Sequence, residues 1–247
     1  MDNGKKVTEI QWYSCGYCEN YLKFIDINYP FQKKKFYAKA LSFCYNGKYY
    51  LFDTGYSHKV FENGFFSKMY HFLNPTKVTA KDEIINQLKV DISTVFISHL
   101  HPDHIGGLPF FSKQTIVLSE NSYGLLQKKN PLVFKNLIPK DLDKRVHILK
   151  EEITDVLSDF FQEVYDFFGD GTVYLISVEG HLTGQYGIFL TEHQLFCVAD
   201  ASWNLKYDEK SMSFPARKIQ QDYKQYVKTL ASIRKFQETG VKIVTSH

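Results

Sequence analysis

Three histidines and one aspartate lie within six positions of a single short segment, SHLHPDHIGG, which spans residues 98–107. They are His99, His101, Asp103 and His104. Imidazole nitrogens and carboxylate oxygens are the ligands that zinc and neighbouring first-row divalent ions prefer. The segment follows an apolar run at 94–97, and polar groups in this density at the end of a buried strand would otherwise need many hydrogen-bond partners. The segment therefore predicts a metal site.

The local backbone allows two neighbouring sites in this segment. Side chains at 99–101 alternate along an extended backbone, and Pro102 then turns the chain. Asp103 and His104 can therefore point into a second pocket beside the first, so two adjacent metal ions become possible. The glycines at 106–107 allow the backbone to turn tightly beneath them.

Strands alternating with helices are predicted to position these ligands. Asn46-Gly47 joins two apolar-rich runs and predicts a β-hairpin with strands at about 36–45 and 48–53. Further strands are predicted at about 93–98, 115–118, 172–178, 187–191, 194–199 and 241–244. Helices are predicted from about Ala80 with Thr79 as cap, over the aromatic segment at 157–168, and at 215–239.

Potential ligands recur immediately after strands in the second half of the chain. His181 lies in the glycine-rich segment EGHLTGQYG, Asp200 opens DASWN, and His247 follows the strand at 241–244. The composition does not shift along the chain in a way that marks a domain boundary. We therefore expect one domain of sheets flanked by helices over 1–247, in which 1–35 form an N-terminal segment.

Composition narrows the class of protein. With 247 residues and 44% hydrophobic side chains, the chain can bury a full core. The net charge is only +3 and the one basic run is at 33–35, which argues against nucleic-acid binding. The N-terminus is polar, and no stretch approaches the ~18 apolar residues of a membrane-spanning helix. We expect a cytoplasmic, soluble protein that does not associate with membranes.

The four cysteines are too few for a disulfide scaffold in a chain of this size. Cys15 and Cys18 form one CxxC pair, which is compatible with half of a zinc site or with a redox pair. A second CxxC is missing, and the surrounding sequence does not resemble a thioredoxin. We predict ordinary reduced cysteines.

The segment HLHPDH resembles the HxHxDH signature of the metallo-β-lactamase superfamily. Supporting motifs occur in the same order, with DTG at 53–55, GHLTG at 180–184, Asp200 after a strand, and His247 after the strand at 241–244. The resemblance runs from about residue 36 to the end. It implies an α+β fold, an αββα sandwich of two mixed β-sheets flanked by helices.

The same resemblance implies two metal ions in each chain, expected to be zinc, with iron, manganese or cobalt as alternatives. By motif, the ligands of the first ion are His99, His101 and His181. Those of the second are Asp103, His104 and His247, and Asp200 bridges both ions. Asp53 resembles the family's buried aspartate, which is not a ligand and hydrogen-bonds the motif loop. The histidines outside the motifs, interpreted as structural or surface groups, are His58, His71, His147 and His193.

Among superfamily members, DTGYS, FFGDGTV and ADASWN are most similar to segments of the N-acyl-homoserine lactone lactonases. This similarity implies a dinuclear hydrolase in which a bridging hydroxide attacks the carbonyl of a lactone or related ester. Asp103 would shuttle the proton to the leaving group. The expected partner is a small-molecule acyl substrate, and no motif specifies an oligomeric state.

The chain departs from those lactonases at a substrate contact. Three positions after the bridging aspartate they usually carry a tyrosine that hydrogen-bonds the substrate carbonyl, whereas this chain has Trp203. An indole N–H donates a hydrogen bond but cannot release a proton as a phenol does. Trp203 and Tyr70 are therefore the candidate substrate-contacting residues, with Tyr56 as a further tyrosine. The aromatic side chains at 61–72 line an acyl groove in one hypothesis and pack on the sandwich in the other.

Three other functions compete with the lactonase hypothesis. A thioester hydrolase of the glyoxalase II type would use nearly the same fold and ligands. A phosphodiesterase or transfer-RNA nuclease is disfavoured because basic residues are not concentrated in one patch. A non-catalytic, metal-bound small-molecule binding protein is disfavoured because all seven expected ligands are present.

Overall fold

A computed structural model describes residues 4, 6–62, 64–128, 133–206 and 209–247. Its strands are β1 (Val7–Tyr21), β2 (Lys33–Tyr45), β3 (Lys48–Phe52), β4 (Thr76–Lys77), β5 (Ile92–Phe96), β6 (Thr115–Ser119), β7 (Val146–Leu149), β8 (Ile153–Thr154), β9 (Val164–Asp166), β10 (Val173–Ser177), β11 (Tyr186–Leu190), β12 (Leu195–Cys197) and β13 (Lys242–Val244). Its α-helices are α1 (Gly64–Leu73), α2 (Ile84–Gln87), α3 (Pro102–Ile105), α4 (Glu120–Leu126), α5 (Phe214–Ile219) and α6 (Tyr223–Gln237).

The chain divides into two compact units. The first is built from residues up to 19, 35–118 and 122–148, and the second from 20–34, 119–121 and 149–247. A single domain over 1–247 stays a prediction. Over the described part of the chain, every helix falls short of the length and apolar character that crossing a bilayer requires.

The first unit contains a seven-stranded mixed sheet in the order β4-β1-β2-β3-β5-β6-β7. The hairpin predicted at Asn46-Gly47 is confirmed, since β2 and β3 pair antiparallel on either side of it. β3, β5 and β6 are parallel to one another. Parallel strands are usually covered on both faces, which explains why Leu51, Val95 and Phe96 are fully buried. The residues that follow β5 are therefore anchored by a buried strand.

The second unit contains a six-stranded sheet in the order β13-β12-β11-β10-β9-β8. Its strands pair antiparallel except for β12 and β13, which are parallel and make the sheet mixed. Phe236 of α6 packs edge-on against Phe189 and Phe196 of this sheet, with ring centroids 5.2 and 6.0 Å apart. These contacts bury one face of α6 in the core of the unit.

The other strands predicted from apolar runs are present as β5, β6, β10, β11, β12 and β13, with ends that differ by a few residues. The long β1 was not predicted. It mixes buried and exposed side chains without the regular alternation that would identify a half-buried strand.

The helix predicted from Ala80 is confirmed at its start and wrong in its length. Thr79 caps it through a capping box with Asp82, but the first segment is a 3-10 turn at Ala80–Asp82. Glu83 then adopts an extended conformation, and α2 covers only one turn beyond it. The Glu83 carboxylate accepts hydrogen bonds from the backbone N–H and Nδ1 of His58. This tertiary contact accompanies the break in the helix.

The helix predicted at 157–168 is wrong. Turns occupy its first half, and β9 pairs with β10 in its second half. Leu157 has a φ of 65°, the left-handed region, which a right-handed helix does not tolerate. Phe161 and Val164 enter the core as the pattern indicated, but they do so from a turn and a strand. Apolar spacing alone does not distinguish these cases.

The single helix predicted at 215–239 is also wrong, because it is two helices. α5 ends at Ile219, Gln220 is extended with φ −70° and ψ 122°, and α6 begins after Asp222. The Asp222 side chain caps α6 by accepting a hydrogen bond from the N–H of Gln225.

The burial of the cysteines predicts how they react with an alkylating reagent. All four cysteines are free and buried. Burial, with a smaller contribution from the charge of Asp82, raises the pKa of the Cys15 thiol to about 12. We expect iodoacetamide at about pH 8 to leave Cys15 and Cys18 unmodified in the folded protein, since the thiolate is the reactive species. Mass spectrometry should find four modified thiols only after unfolding; rapid labelling of Cys15 in the native state would contradict the structure.

Candidate metal centre

The first unit brings together the ligands predicted from HLHPDH. His99 and His104 are fully buried, and their ring centroids are 4.0 Å apart. His99 Nε2 lies 3.1 Å from His101 Nδ1. Two nitrogens bound at 2.0–2.1 Å to one tetrahedral ion would stand about 3.3 Å apart. The observed separation therefore fits two ligands of a shared ion.

One turn of helix presents the next two predicted ligands. His101 is the N-cap of α3, and Pro102 occupies its first position, where a missing N–H costs nothing. The turn buries both Asp103 and His104, and His104 Nε2 lies 3.7 Å from Asp103 Oδ2. This imidazole and carboxylate offer a second set of donor atoms beside the first.

A buried carboxylate on a neighbouring loop orients this cluster. Asp53 is 0% exposed; its Oδ1 accepts from Ser98 N–H at 2.8 Å, and its Oδ2 accepts from Ser98 Oγ at 2.8 Å and from His104 Nδ1 at 2.7 Å. His99 Nδ1 donates in turn to Ser98 Oγ at 3.0 Å. Because Nδ1 of both His99 and His104 is engaged, Nε2 is the nitrogen each can offer to a metal. Asp53 thus hydrogen-bonds the motif loop, as the resemblance implies.

The rest of the DTG segment holds the motif loop through its backbone. Thr54 donates from both its N–H and its Oγ1 to the carbonyl of His104, and its Oγ1 accepts from the N–H of Gly107. A Cβ at Gly106 would lie 2.6 Å from the carbonyl oxygen of Gly55. Glycine is therefore needed at 106 for close approach of two backbones.

The second unit brings together the other three predicted ligands. His247 Nε2 lies 3.2 Å from Asp200 Oδ1, and His181 Nε2 lies 3.5 Å from Asp200 Oδ2. All three side chains are almost fully buried. These separations also match those of donor atoms that share an ion.

His181 has an orienting partner that the sequence did not reveal. Its Nδ1 donates to Gln220 Oε1 at 2.9 Å, and the Gln220 amide nitrogen donates to the carbonyl of Ala216 at 3.0 Å. The second bond sets which end of the amide faces the imidazole. Gln220 lies in the break between α5 and α6, which the predicted continuous helix would not have contained.

The same break anchors the GHLTG segment. Gln221 Oε1 accepts from the N–H of Thr183 at 2.8 Å, and Asp222 N–H donates to the carbonyl of Gly180 at 2.9 Å. Gly180 has a φ of 127°, and a Cβ there would overlap the backbone of Tyr226. Only glycine meets both demands.

The structure places the candidate substrate-contacting residues as follows. Trp203 Nε1 donates to Asp200 Oδ2 at 3.1 Å. In the first unit, the hydroxyls of Tyr70 and Tyr56 are 2.9 Å apart. Tyr56 is fully buried, and this burial raises its pKa well above the usual value, with a smaller contribution from the negative charge of Asp103. Tyr56 therefore stays a neutral phenol, and Tyr70, which is half-buried, is the accessible member of the pair.

The segment at 61–72, apart from Asn63, which lies outside the described residues, includes most of α1. Phe65 and Phe72 are 74% and 83% exposed, which does not fit packing in a core. Of the histidines outside the motifs, His58 bonds Glu83, and His71 Nδ1 accepts from the N–H of Thr76 at 3.2 Å. Both contacts are structural.

A cavity of about 530 Å³ adjoins His247, one of the three ligands predicted in the second unit. Trp203 and His247 line it together with Lys34, Lys206 and Ile243. It is large enough to admit a small molecule beside a predicted ligand.

Comparison with known proteins identifies related chains. Residues 43–195, more than half of the chain, match the family model of the metallo-beta-lactamase superfamily. The chain is 28% identical over 162 residues to N-acyl homoserine lactonase AttM of Rhizobium johnstonii, covering 64% of this chain and 58% of that protein. It is 26% identical over 166 residues to the AttM protein of Azorhizobium caulinodans, with the same coverage. The matches thus span less than two thirds of these curated relatives.

Solved structures show the fold. An N-acyl homoserine lactone hydrolase with N-hexanoyl-L-homoserine at its catalytic metal centre has a TM-score of 0.75 and 18% identity, over 98% of this chain and 93% of that one. The dizinc quorum-quenching lactonase AidC has a TM-score of 0.64 and 16% identity, over 98% and 89%. The predicted fold class, two mixed sheets flanked by helices, is confirmed.

The role of Asp53 predicts a stability difference. Asp53→Ala should lower the free energy of unfolding by about 3 kcal/mol or more, because it leaves Ser98 and His104 with buried donors that lose their acceptor. Asp91→Ala, at an exposed position of the same unit, should change it by less than about 0.5 kcal/mol. Urea unfolding of metal-free protein measures both. Equal stabilities of the two variants would show that Asp53 does not hold the loop.

Proposed function

The chain belongs to the metallo-beta-lactamase superfamily, and we propose that it is a two-metal hydrolase that opens lactones or cleaves related esters with an acyl group. The observation that carries the proposal is that, within each unit, buried imidazole and carboxylate groups lie close together at the positions of the family's motifs. A purely structural hydrogen-bond network would not need so many imidazole and carboxylate groups in either unit.

We assign the ligands by motif. The first ion takes His99, His101 and His181, and the second takes Asp103, His104 and His247, with Asp200 between them. The donor set fits zinc, because imidazole and carboxylate are both among its usual ligands, while iron, manganese and cobalt accept the same groups. The short donor separations within each unit support metal binding, and the engaged Nδ1 atoms of His99, His104 and His181 leave Nε2 as the nitrogen that each can offer.

When bound, two divalent ions supply a water of lowered pKa and a Lewis acid for a carbonyl oxygen. Asp103, an anionic group in the first cluster, is suited to take up a proton and pass it to the leaving oxygen. Asp53 and Gln220 keep the histidine tautomers that such chemistry needs. Tyr70 is suited to donate a hydrogen bond to the substrate carbonyl, and the buried Tyr56 hydroxyl fixes its orientation.

The lactone class is supported from two directions. The relatives are named N-acyl homoserine lactonases, and two structures with the same fold hold N-hexanoyl- and N-decanoyl-L-homoserine. In this chain, the exposed aromatic side chains of α1 offer apolar surface that suits an acyl chain, and the cavity beside His247 admits a small molecule.

Metal content and turnover test the proposal together. Zinc-supplemented protein should hold about two zinc ions per chain by elemental analysis and hydrolyse members of a lactone panel. Asp200→Ala and His104→Ala should lose metal and reduce turnover about 100-fold or more. His193→Ala, outside the motifs, is the matched control and should behave as the wild type. Zinc-free wild-type protein, or near-normal turnover in either ligand variant, would contradict the two-metal mechanism.

The same panel separates the competing functions. Thioesters, phosphodiesters and β-lactams tested beside the lactones would reveal a different hydrolase if one of those classes were preferred. Two bound zinc ions with no turnover of any ester would instead support a binding protein.

The proposed role of Tyr70 predicts a separate kinetic effect. Tyr70→Phe should lower kcat by about 100-fold, because it removes one hydrogen-bond donor to the developing oxyanion, while zinc content stays normal. Tyr56→Phe should cause a smaller loss, since it removes only the group that orients Tyr70. Tyr49→Phe, at a phenol that bonds Glu9 away from the motif loop, serves as the control. Unchanged kcat in Tyr70→Phe excludes this phenol as the carbonyl donor.

A further inference from the structure

Trp203 contacts a predicted metal ligand directly. Its Nε1 donates to Asp200 Oδ2 at 3.1 Å, and its ring meets the imidazole of His181 edge-on, with centroids 5.9 Å apart and an interplanar angle of 80°. The ring also packs against a core cluster that includes Met212 and Leu230. The indole is therefore held in place by packing on one side and by a hydrogen bond on the other.

The indole group has a single N–H and no second polar atom. While that N–H bonds Asp200, it is not available to a substrate carbonyl. A tryptophan at this position thus serves a different purpose from a tyrosine whose hydroxyl faces the substrate.

Metal binding by Asp200 would depend on the orientation of its carboxylate. It is almost fully buried, and the residue before it, Ala199, has a φ of 48° in the left-handed region. His247 Nε2 lies 3.2 and 3.3 Å from the two oxygens of Asp200, and His181 Nε2 lies 3.5 Å from Oδ2. A partial rotation of the carboxylate about its terminal bond would move its oxygens away from both histidines. A donor fixed on one oxygen opposes that rotation, and hydrogen bonds to ionised groups are the stronger ones.

We propose that Trp203 is a positioning residue that fixes the Asp200 carboxylate for metal binding. The inference rests on the proposed function, because it takes Asp200 as a ligand. It assigns Trp203 to the metal centre and leaves the role of substrate donor to another group.

Zinc affinity is the first test, and it needs no substrate. Trp203→Phe keeps an aromatic ring and removes the N–H, and it should weaken zinc binding about 10–100-fold in competition with a chelator. Trp12→Phe removes the other tryptophan of the chain, a half-buried residue of β1, and should bind zinc as the wild type does. Wild-type affinity in Trp203→Phe overturns the inference. Wild-type protein that binds no zinc overturns the proposed function instead.

The indole N–H itself gives a second test in the wild-type chain, which does not depend on how a Trp203 variant folds. The protein has two tryptophans, so a proton–nitrogen correlation spectrum has two indole signals, and Trp12→Phe assigns them. In metal-free protein, Asp200→Asn should move the Trp203 signal upfield, since a neutral amide oxygen is the weaker acceptor. Addition of zinc to the wild type should shift the same signal and leave the Trp12 signal in place. A Trp203 signal that ignores both changes overturns the inference.

Discussion

The predicted ligands of the first unit depend on the hydrogen bonds that the Asp53 carboxylate accepts. A charged group with no exposure to water is costly unless its oxygens are hydrogen-bonded. Asp53 meets this requirement only when the loop after β5 supplies Ser98 and His104 as donors. The hydrogen bond to Asp53 in turn fixes the tautomer of His104, a predicted ligand on this loop. Burial of the Asp53 carboxylate and orientation of the predicted ligands therefore depend on the same hydrogen bonds.

The second unit reaches a similar result with neutral groups. An amide, that of Gln220, accepts from His181, and the backbone around it gives up helical continuity to do so. The break removes helix hydrogen bonds, and Gln221 and Asp222 instead form hydrogen bonds with the GHLTG segment. Trp203 extends the same arrangement to Asp200. Buried polar groups that orient predicted ligands are thus found in both units, and they differ in charge because Asp53 faces several donors and Gln220 faces one.

Sequence-based prediction succeeded where a local rule was sufficient. Asn46-Gly47 predicts a hairpin because few other dipeptides tolerate the turn, and short apolar runs predict buried strands. It failed for 157–168, where apolar spacing suited a helix but Leu157 is left-handed and β9 pairs with β10. It failed again at Gln220, where the helix breaks and the side chain bonds His181, 39 positions earlier in the chain.

By itself, the sequence determined the family and the chemical character of the predicted centre, since residue types, their spacing and the order of the motifs are properties of the chain alone. Tertiary structure decided how the predicted ligands are held. Gln220 belongs to no motif, yet it accepts a hydrogen bond from His181. The sequence predicted Trp203 as a substrate contact, whereas in the structure its indole N–H donates to Asp200. The physical reason is that a hydrogen bond has one direction and a short range. Its partner is set by where the backbone brings two groups together, and no local pattern of residues records that.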